Sequence, residues 1–229
     1  MKKLLPIFAA LTAWSWLRAG YYIQQKSYIL KEGQRKESTT QIWMEGENLR
    51  MESPTRITIV NYGSQKVYFV NKSRKTYYAM TLPQLKELLS TMVEMMKRMG
   101  ADVSPKIEIT GEKKVVKGYH CTVVLMKLGS LQTMEQCLSP DVRISMADYM
   151  KVLEVMLPRE MMEELRARKK KLEALGFPVY SRTSSSYMGR STVTETYLEK
   201  YRRGPIPPEV FTVPPGYRKT EYSSPFSRR

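Results

Sequence analysis

The chain carries one histidine, His120, and two cysteines, Cys121 and Cys137, in 229 residues. That scarcity limits the chemistry. A metal site needs several convergent ligands, and one His beside two Cys does not supply them. His120 and Cys121 are neighbours in a strand-like run, so their side chains point to opposite faces. The serines at 184–186 have no histidine left to activate them. There is no Gly-x-Ser-x-Gly elbow, no P-loop and no Gly-x-Gly-x-x-Gly after a strand. The sequence predicts a binding protein with no catalytic residues, metal or cofactor. Acids are also scarce, 22 against 38 Lys and Arg, for a formal net charge of +16. Such a surface suits acidic surroundings.

Long apolar runs are missing except at the N-terminus. Lys2 and Lys3 precede Leu4 to Leu17, "LLPIFAALTAWSWL", with Ala19 and Gly20 behind. This layout predicts a secretory signal peptide over residues 1–20, because the run falls short of the ~20 residues of a comfortable membrane span. Leu17 and Arg18 depart from a small-x-small cleavage pattern, and the alternative is an uncleaved signal anchor. Removing Lys2, Lys3 and Arg18 takes the net charge from +16 to +13. Export to a periplasmic or extracellular location argues against nucleic acid as a partner.

In an exported chain an even pair of cysteines is a candidate disulfide. Cys121 and Cys137 stand at equal distances from Gly129 in the turn-like "LGS". A hairpin folded at that glycine predicts that they face each other. The alternative is two free, buried cysteines.

What is plentiful is tyrosine, β-branched residues and methionine. From 21 to 80, "TTQIWM" and "LRME" flank "EGEN", "TRITIV" and "KVYFV" flank "NYGSQ", and "KTYYAM" follows "NKSR". Such runs between Gly, Asn and Ser turns predict an antiparallel meander, with Ile57 and Ile59 on one face and Thr58 on the other, one face covering a core and the other meeting water. A helical period follows. Leu85, Leu88, Leu89, Met92, Met95, Met96 and Met99 fall on one stripe that ends at Gly100. Methionine fills irregular space, so the stripe suits a cavity cover or an ordinary core. Strands resume with "KIEIT", a turn at "GEKK" and the cysteine hairpin. Met146, Tyr149, Met150, Leu153 and Met156 then share a helix face. A further helix is predicted from Pro158 to Gly176, with acids early and lysines late. "FPVYSRTSSSY" and "STVTETYLEKY" are expected to pair across "MGR". The Pro-rich "GPIPPEVFTVPPGYRK" is a poor central strand. One domain is expected over 21–219, with a disordered tail at 220–229.

Two stretches are more specific: "TGEKKVVKGYHC" (Thr110 to Cys121) and the Phe-x-Val-Pro-x-Gly-Tyr of Phe211 to Tyr217. With the order of elements, they resemble secreted bacterial proteins of unknown function similar to the LolA/LolB lipoprotein-carrier superfamily. The resemblance implies an α+β fold, a curved antiparallel half-barrel sheet whose concave face is covered by amphipathic helices. It also implies a cavity for a lipid or acyl chain and supplies no catalytic residues. The candidate cavity residues are Met92, Met95, Met96, Met99, Met150 and Leu153. The expected partner is a hydrophobic ligand or an envelope protein. The alternative is a structural protein that binds an anionic membrane surface or another protein through its basic face.

Overall fold

The computed structural model describes residues 19–187 and 190–222, so the expected signal segment lies outside the described residues apart from Ala19 and Gly20. β1 (Gly20–Lys31) begins where that segment ends. It is followed by β2 (Gln34–Glu45), β3 (Asn48–Glu52), β4 (Arg56–Asn61), β5 (Lys66–Asn71) and β6 (Thr76–Thr81), each pairing antiparallel with the next. α1 (Leu82–Arg98) leaves the meander. β7 (Pro105–Val116), β8 (Tyr119–Leu128), β9 (Gln132–Ser139), α2 (Met146–Glu154), α3 (Arg159–Ala167), α4 (Lys169–Leu175), β10 (Phe177–Tyr187) and β11 (Arg190–Gly204) follow. β11 returns to pair with β1, and β12 (Arg218–Lys219) adds a parallel edge beside β6. The result is one α+β unit with a twelve-stranded sheet, ordered β12-β6-β5-β4-β3-β2-β1-β11-β10-β9-β8-β7.

The sheet is open but cannot be flat. In the strand order β6 and β7 are ten spacings apart, which at ~4.8 Å each is about 48 Å. Yet α1 packs on β5 and β6 and also on α3, while α3 packs on β7. Two packed helices span only about 8–10 Å between axes, so the sheet curls to bring its ends within their reach. A single core joins strand residues such as Ile23, Leu49, Val60 and Val124 to Leu82, Leu85, Leu153 and Leu165 from the helices.

Several local expectations are revised. Ile57 and Ile59 share a face, but it is turned away from this core and covered all the same: they form a second cluster with Val70, against which Val213 and Tyr217 pack. Val60 and Val67 take the main-core positions instead. The turn expected at "GEKK" is a register irregularity within β7 between Ile109 and Lys113, and the chain reverses at Lys117 and Gly118. The helix expected from Pro158 to Gly176 breaks at Arg168 (φ −105°, ψ 6°) into α3 and α4, and Pro158 is the N-cap. Gly176 still ends it, for a steric reason. Its φ is +89°, and a Cβ there would lie 2.0 Å from the Ser139 carbonyl oxygen.

α1 starts with a capping box. Thr81 Oγ1 accepts from Gln84 N at 3.2 Å, and Gln84 Oε1 accepts from Thr81 N at 2.8 Å. Lys97 and Arg98 occupy its last turn, where cations suit the helix dipole.

Candidate functional site

α2 is capped at its N-terminus and tied to the sheet's connections by polar contacts at Lys151, near its C-terminal end. Ser145 caps it by accepting from Asp148 N at 3.1 Å. Lys151 Nζ donates to the Gly46 carbonyl at 2.6 Å and to Asp148 Oδ1 at 3.0 Å, fixing the helix to the β2–β3 turn. Tyr62, from the β4–β5 connection, donates its hydroxyl to the Lys151 carbonyl.

Between this helix and the sheet lies a cleft of about 380 Å³. Its helix side is Tyr149, Val152, Leu153, Met156 and Leu157. The sheet side has two chemistries. Ile23, Ile42, Met51, Phe177 and Leu198 make an apolar end. The other end is a polar row. Ser27 is opposite Thr196, Thr196 opposite Ser181 and Ser181 opposite Gln136, so the four share one face across β1, β11, β10 and β9. Thr194 and Thr183 form a second such pair. Ser27 and Thr196 share a hydrogen bond of 2.9 Å. Gln136, 4% exposed, donates Nε2 to the Tyr149 hydroxyl at 2.9 Å. Its Oε1 is buried and has no hydrogen-bond partner among the described residues. Among the described residues, no Asp, Glu, Lys, Arg or His lines the cleft. Burial pushes the Tyr149 phenol up to about 12, against a smaller opposing effect of the Gln136 bond, and burial also pushes Tyr180 up to about 12. The lining is therefore uncharged across the physiological range.

A smaller apolar space of about 70 Å³ adjoins it, lined by Met126, Leu128, Pro158 and Met161. Both spaces share Gln132, Met134, Met156 and Leu157. Met156 is 59% exposed and stands between them. A larger groove of about 490 Å³ between α1 and α3 differs in character. Most of its charges pair with one another, Lys86 with Glu154 at 2.7 Å and Arg159 with Glu163 at 2.8 Å.

Of the residues singled out from sequence, Leu153 lines the cleft and is buried. Met150 is half-buried on α2, packed against the core outside the lining. Met92, Met95 and Met96 are half-buried on α1, and Met99 is 58% exposed; none of the four lines the cleft. The structure thus does not bring the methionine stripe to the same cavity as Leu153. The polar row was missed, although Ser27 has the same strand parity as Ile23, and Thr194 and Thr196 the same parity as Leu198.

A disulfide joins Cys121 and Cys137, whose Cα atoms are 5.3 Å apart. The hairpin is offset from the one expected. Val123 is opposite Cys137, and the strands are joined across 129–131. The bridge therefore links diagonal neighbours. An offset of two residues keeps the same face, which is why it still closes. Cys137 alternates with Gln136, so the bridge lies on the face away from the cleft. Gly129 is still obligatory: its φ is +51°, and a Cβ would lie 1.9 Å from the Asp102 carbonyl oxygen. His120 is exposed on β8. Among the described residues no group of three or more His, Cys, Asp or Glu is placed to hold a metal, and no helix is long and apolar enough to cross a membrane.

The other face of the sheet carries cations stacked on rings. Arg202 lies 5.0 Å from the Tyr22 ring centroid, Arg50 5.6 Å from Trp43 and Arg35 4.1 Å from Tyr28.

Fold and cleft together define an open-sheet α+β protein with a neutral, two-character pocket. The chain belongs to the family described as Domain of unknown function (DUF4412), whose model matches residues 18–217. No curated protein matches it. Among solved structures it is similar to an uncharacterized conserved protein from Thermus thermophilus, at 7% identity and a TM-score of 0.50, over 89% of this chain and 90% of that one. That likeness concerns the fold alone. It is also similar to PNGF-II, at 12% identity and a TM-score of 0.43, over 90% of this chain but only 31% of PNGF-II. The chain therefore spans about a third of that protein's length. Its structural neighbours include a putative outer membrane lipoprotein-sorting protein domain from Vibrio parahaemolyticus, at 7% identity and a TM-score of 0.31, over 80% of this chain and 85% of that one.

Proposed function

We propose that this is an exported envelope protein that binds an acyl chain or lipid, without catalysis, in the cleft between α2 and the sheet. The helices act as the cover of the sheet's concave side. The observation that carries this reading is the uncharged cleft of about 380 Å³ with an apolar end at Ile23, Ile42, Leu153 and Leu198. Its size falls within the ~300–1,000 Å³ typical of ligand sites. Met156 stands at the mouth, and a methionine side chain changes rotamer at low cost. Turning it aside would join the main cleft to the smaller space beside Met161 and lengthen the room for a chain. The stacked Arg and aromatic residues of the opposite face would hold the protein against anionic headgroups.

Purified full-length protein is expected to carry lipid into native mass spectrometry, or to take up a hydrophobic fluorophore once stripped. Met156→Glu, at an exposed position, should weaken uptake at least tenfold while leaving the urea midpoint within experimental error. A protein that takes up no acyl ligand and no hydrophobic probe would refute the proposal.

A further inference from the structure

We infer that the ligand of the cleft carries an uncharged head with at least one hydrogen-bond donor, seated on Gln136 and the Ser27–Thr196–Ser181 row. This rests on reading the cleft as a ligand site and specifies what it selects.

Three observations converge. The first is the missing partner of Gln136. A primary amide offers two donors and an acceptor with two lone pairs. One donor is used on Tyr149 at 2.9 Å, while Oε1 is buried without a partner. Leaving such an acceptor unsatisfied is costly, and sites that persist this way call for a specific reason. Oε1 has no accessible surface as placed, so the amide must turn toward the cleft, and a hydroxyl or amide N–H on a ligand then supplies the bond that the fold leaves unmade.

The second is the placement of the hydroxyls. A strand face turned toward a core is ordinarily apolar. Here Ser27, Thr196, Ser181, Thr194 and Thr183 occupy the face on which Ile23 and Leu198 also lie, and all line the cleft. Ser27 and Thr196 satisfy each other in part at 2.9 Å. Hydroxyls both donate and accept, so the row can hold esters, hydroxyls and amides alike.

The third is charge. Among the described residues no cation or carboxylate lines the cleft. An ionised carboxylate placed there would lose its hydration with no cation to compensate, a cost that displaces the ion or protonates it. Hydrogen-bonding groups without charge accept a neutral head and penalise an anionic one. The shared ligand chemistry is thus one acyl chain on a neutral, donor-bearing head. A glycerolipid and an acylated peptide amide both present it.

The test titrates the full-length protein at pH 8 with monomyristoylglycerol, N-myristoylglycinamide and myristate, each below its aggregation threshold. The two neutral ligands should bind at least tenfold more tightly than myristate, and the tighter of them identifies the source. Gln136→Met and Thr196→Val should each weaken the neutral ligands at least fivefold and leave myristate within twofold. Should Gln136→Met fail to fold, Thr196→Val decides alone, because its side chain is hydrogen-bonded only to Ser27 among the described residues. Myristate binding as tightly as the neutral ligands, or no effect of the folded variants, would overturn the inference and leave the cleft as a lipid site. Binding of none of the three would instead overturn the reading of the cleft, and this inference with it.

Discussion

Tyr149 is where stability and the cleft meet. Its phenol is buried between Gln136 and the Phe177 ring, 5.1 Å away and tilted edge-on. An unfolded tyrosine releases its proton near pH 10, whereas burial holds the folded Tyr149 up to about 12. Between those values the unfolded chain binds fewer protons than the native one. Stability therefore falls as pH rises through that window, by up to about 1.4 kcal/mol per pH unit for this group. Urea unfolding at pH 9, 10 and 11 should show the decline, and Tyr149→Phe should make it less steep, the remainder coming from Tyr180 and the other raised tyrosines, while lowering stability at pH 8 through the lost Gln136 contact. At this scale the apolar residues were legible and the polar ones were not. Leu153 announces itself by helical spacing. Ser27, Thr196 and Gln136 look like the wet side of a strand, because a serine on an inner face has the same alternation as one on an outer face. Only the register across β1, β11, β10 and β9 shows that they converge.

The hairpin of β8 and β9 shows what element-level reading captures. The cysteine pair and the strands were recoverable, since residues of strong β preference flank a glycine. The offset came from the three-residue connection, which spacing about Gly129 does not reveal. Closing a loop of 16 residues, the bridge should contribute about 2–4 kcal/mol. Replacing both cysteines with alanine should lower the unfolding free energy by that amount in urea titrations. Because the bridge lies on the face away from Gln136, ligand uptake by the remaining folded protein should be unchanged. Other elements were obscured for physical reasons. The β1–β2 reversal at Glu32 and Gly33 lies in the charged "LKEGQRKE", whose residues are all exposed, so no alternation marks the strands. β7 runs through Gly111 at φ +77° instead of turning there, because the same residue types serve a bulge and a turn.

On the scale of the whole molecule, the late Phe-x-Val-Pro-x-Gly-Tyr stretch acts as a clasp. A 3-10 turn at Pro208–Phe211 leads to Val213 and Tyr217, which pack on Ile57, Ile59 and Val70 of the outer face. Arg50 Nη1 donates to the Val210 carbonyl at 2.9 Å. Thr220 N then donates to the Tyr77 carbonyl at 2.7 Å, and the Tyr222 ring stands 5.2 Å from Tyr78, while residues 223–229 lie outside the described residues. Truncation after Gly204 should cost about 1.5–3 kcal/mol for each apolar side chain fully uncovered, seen as a lower urea midpoint and new binding of a hydrophobic dye. The meander, its turns after β2 and the resemblance to a family of unknown function were legible in sequence. The curl was expected only from the family resemblance and not from the residues themselves, because it depends on α1 and α3 joining elements that are distant in the sheet. The pairing of β1 with β11 has a further consequence, for synthesis. Gly20 is among the first described residues to emerge, and its partner Gly204 is among the last. Until then β1 has only β2 beside it and presents an unpaired edge in the middle of what will be the sheet. Pairings this distant in sequence form slowly, and open edges recruit other chains. Completion of the fold is therefore coupled to arrival of the C-terminal fifth of the chain, and any factor that shields nascent strands should matter more here than in a protein whose first strand closes locally.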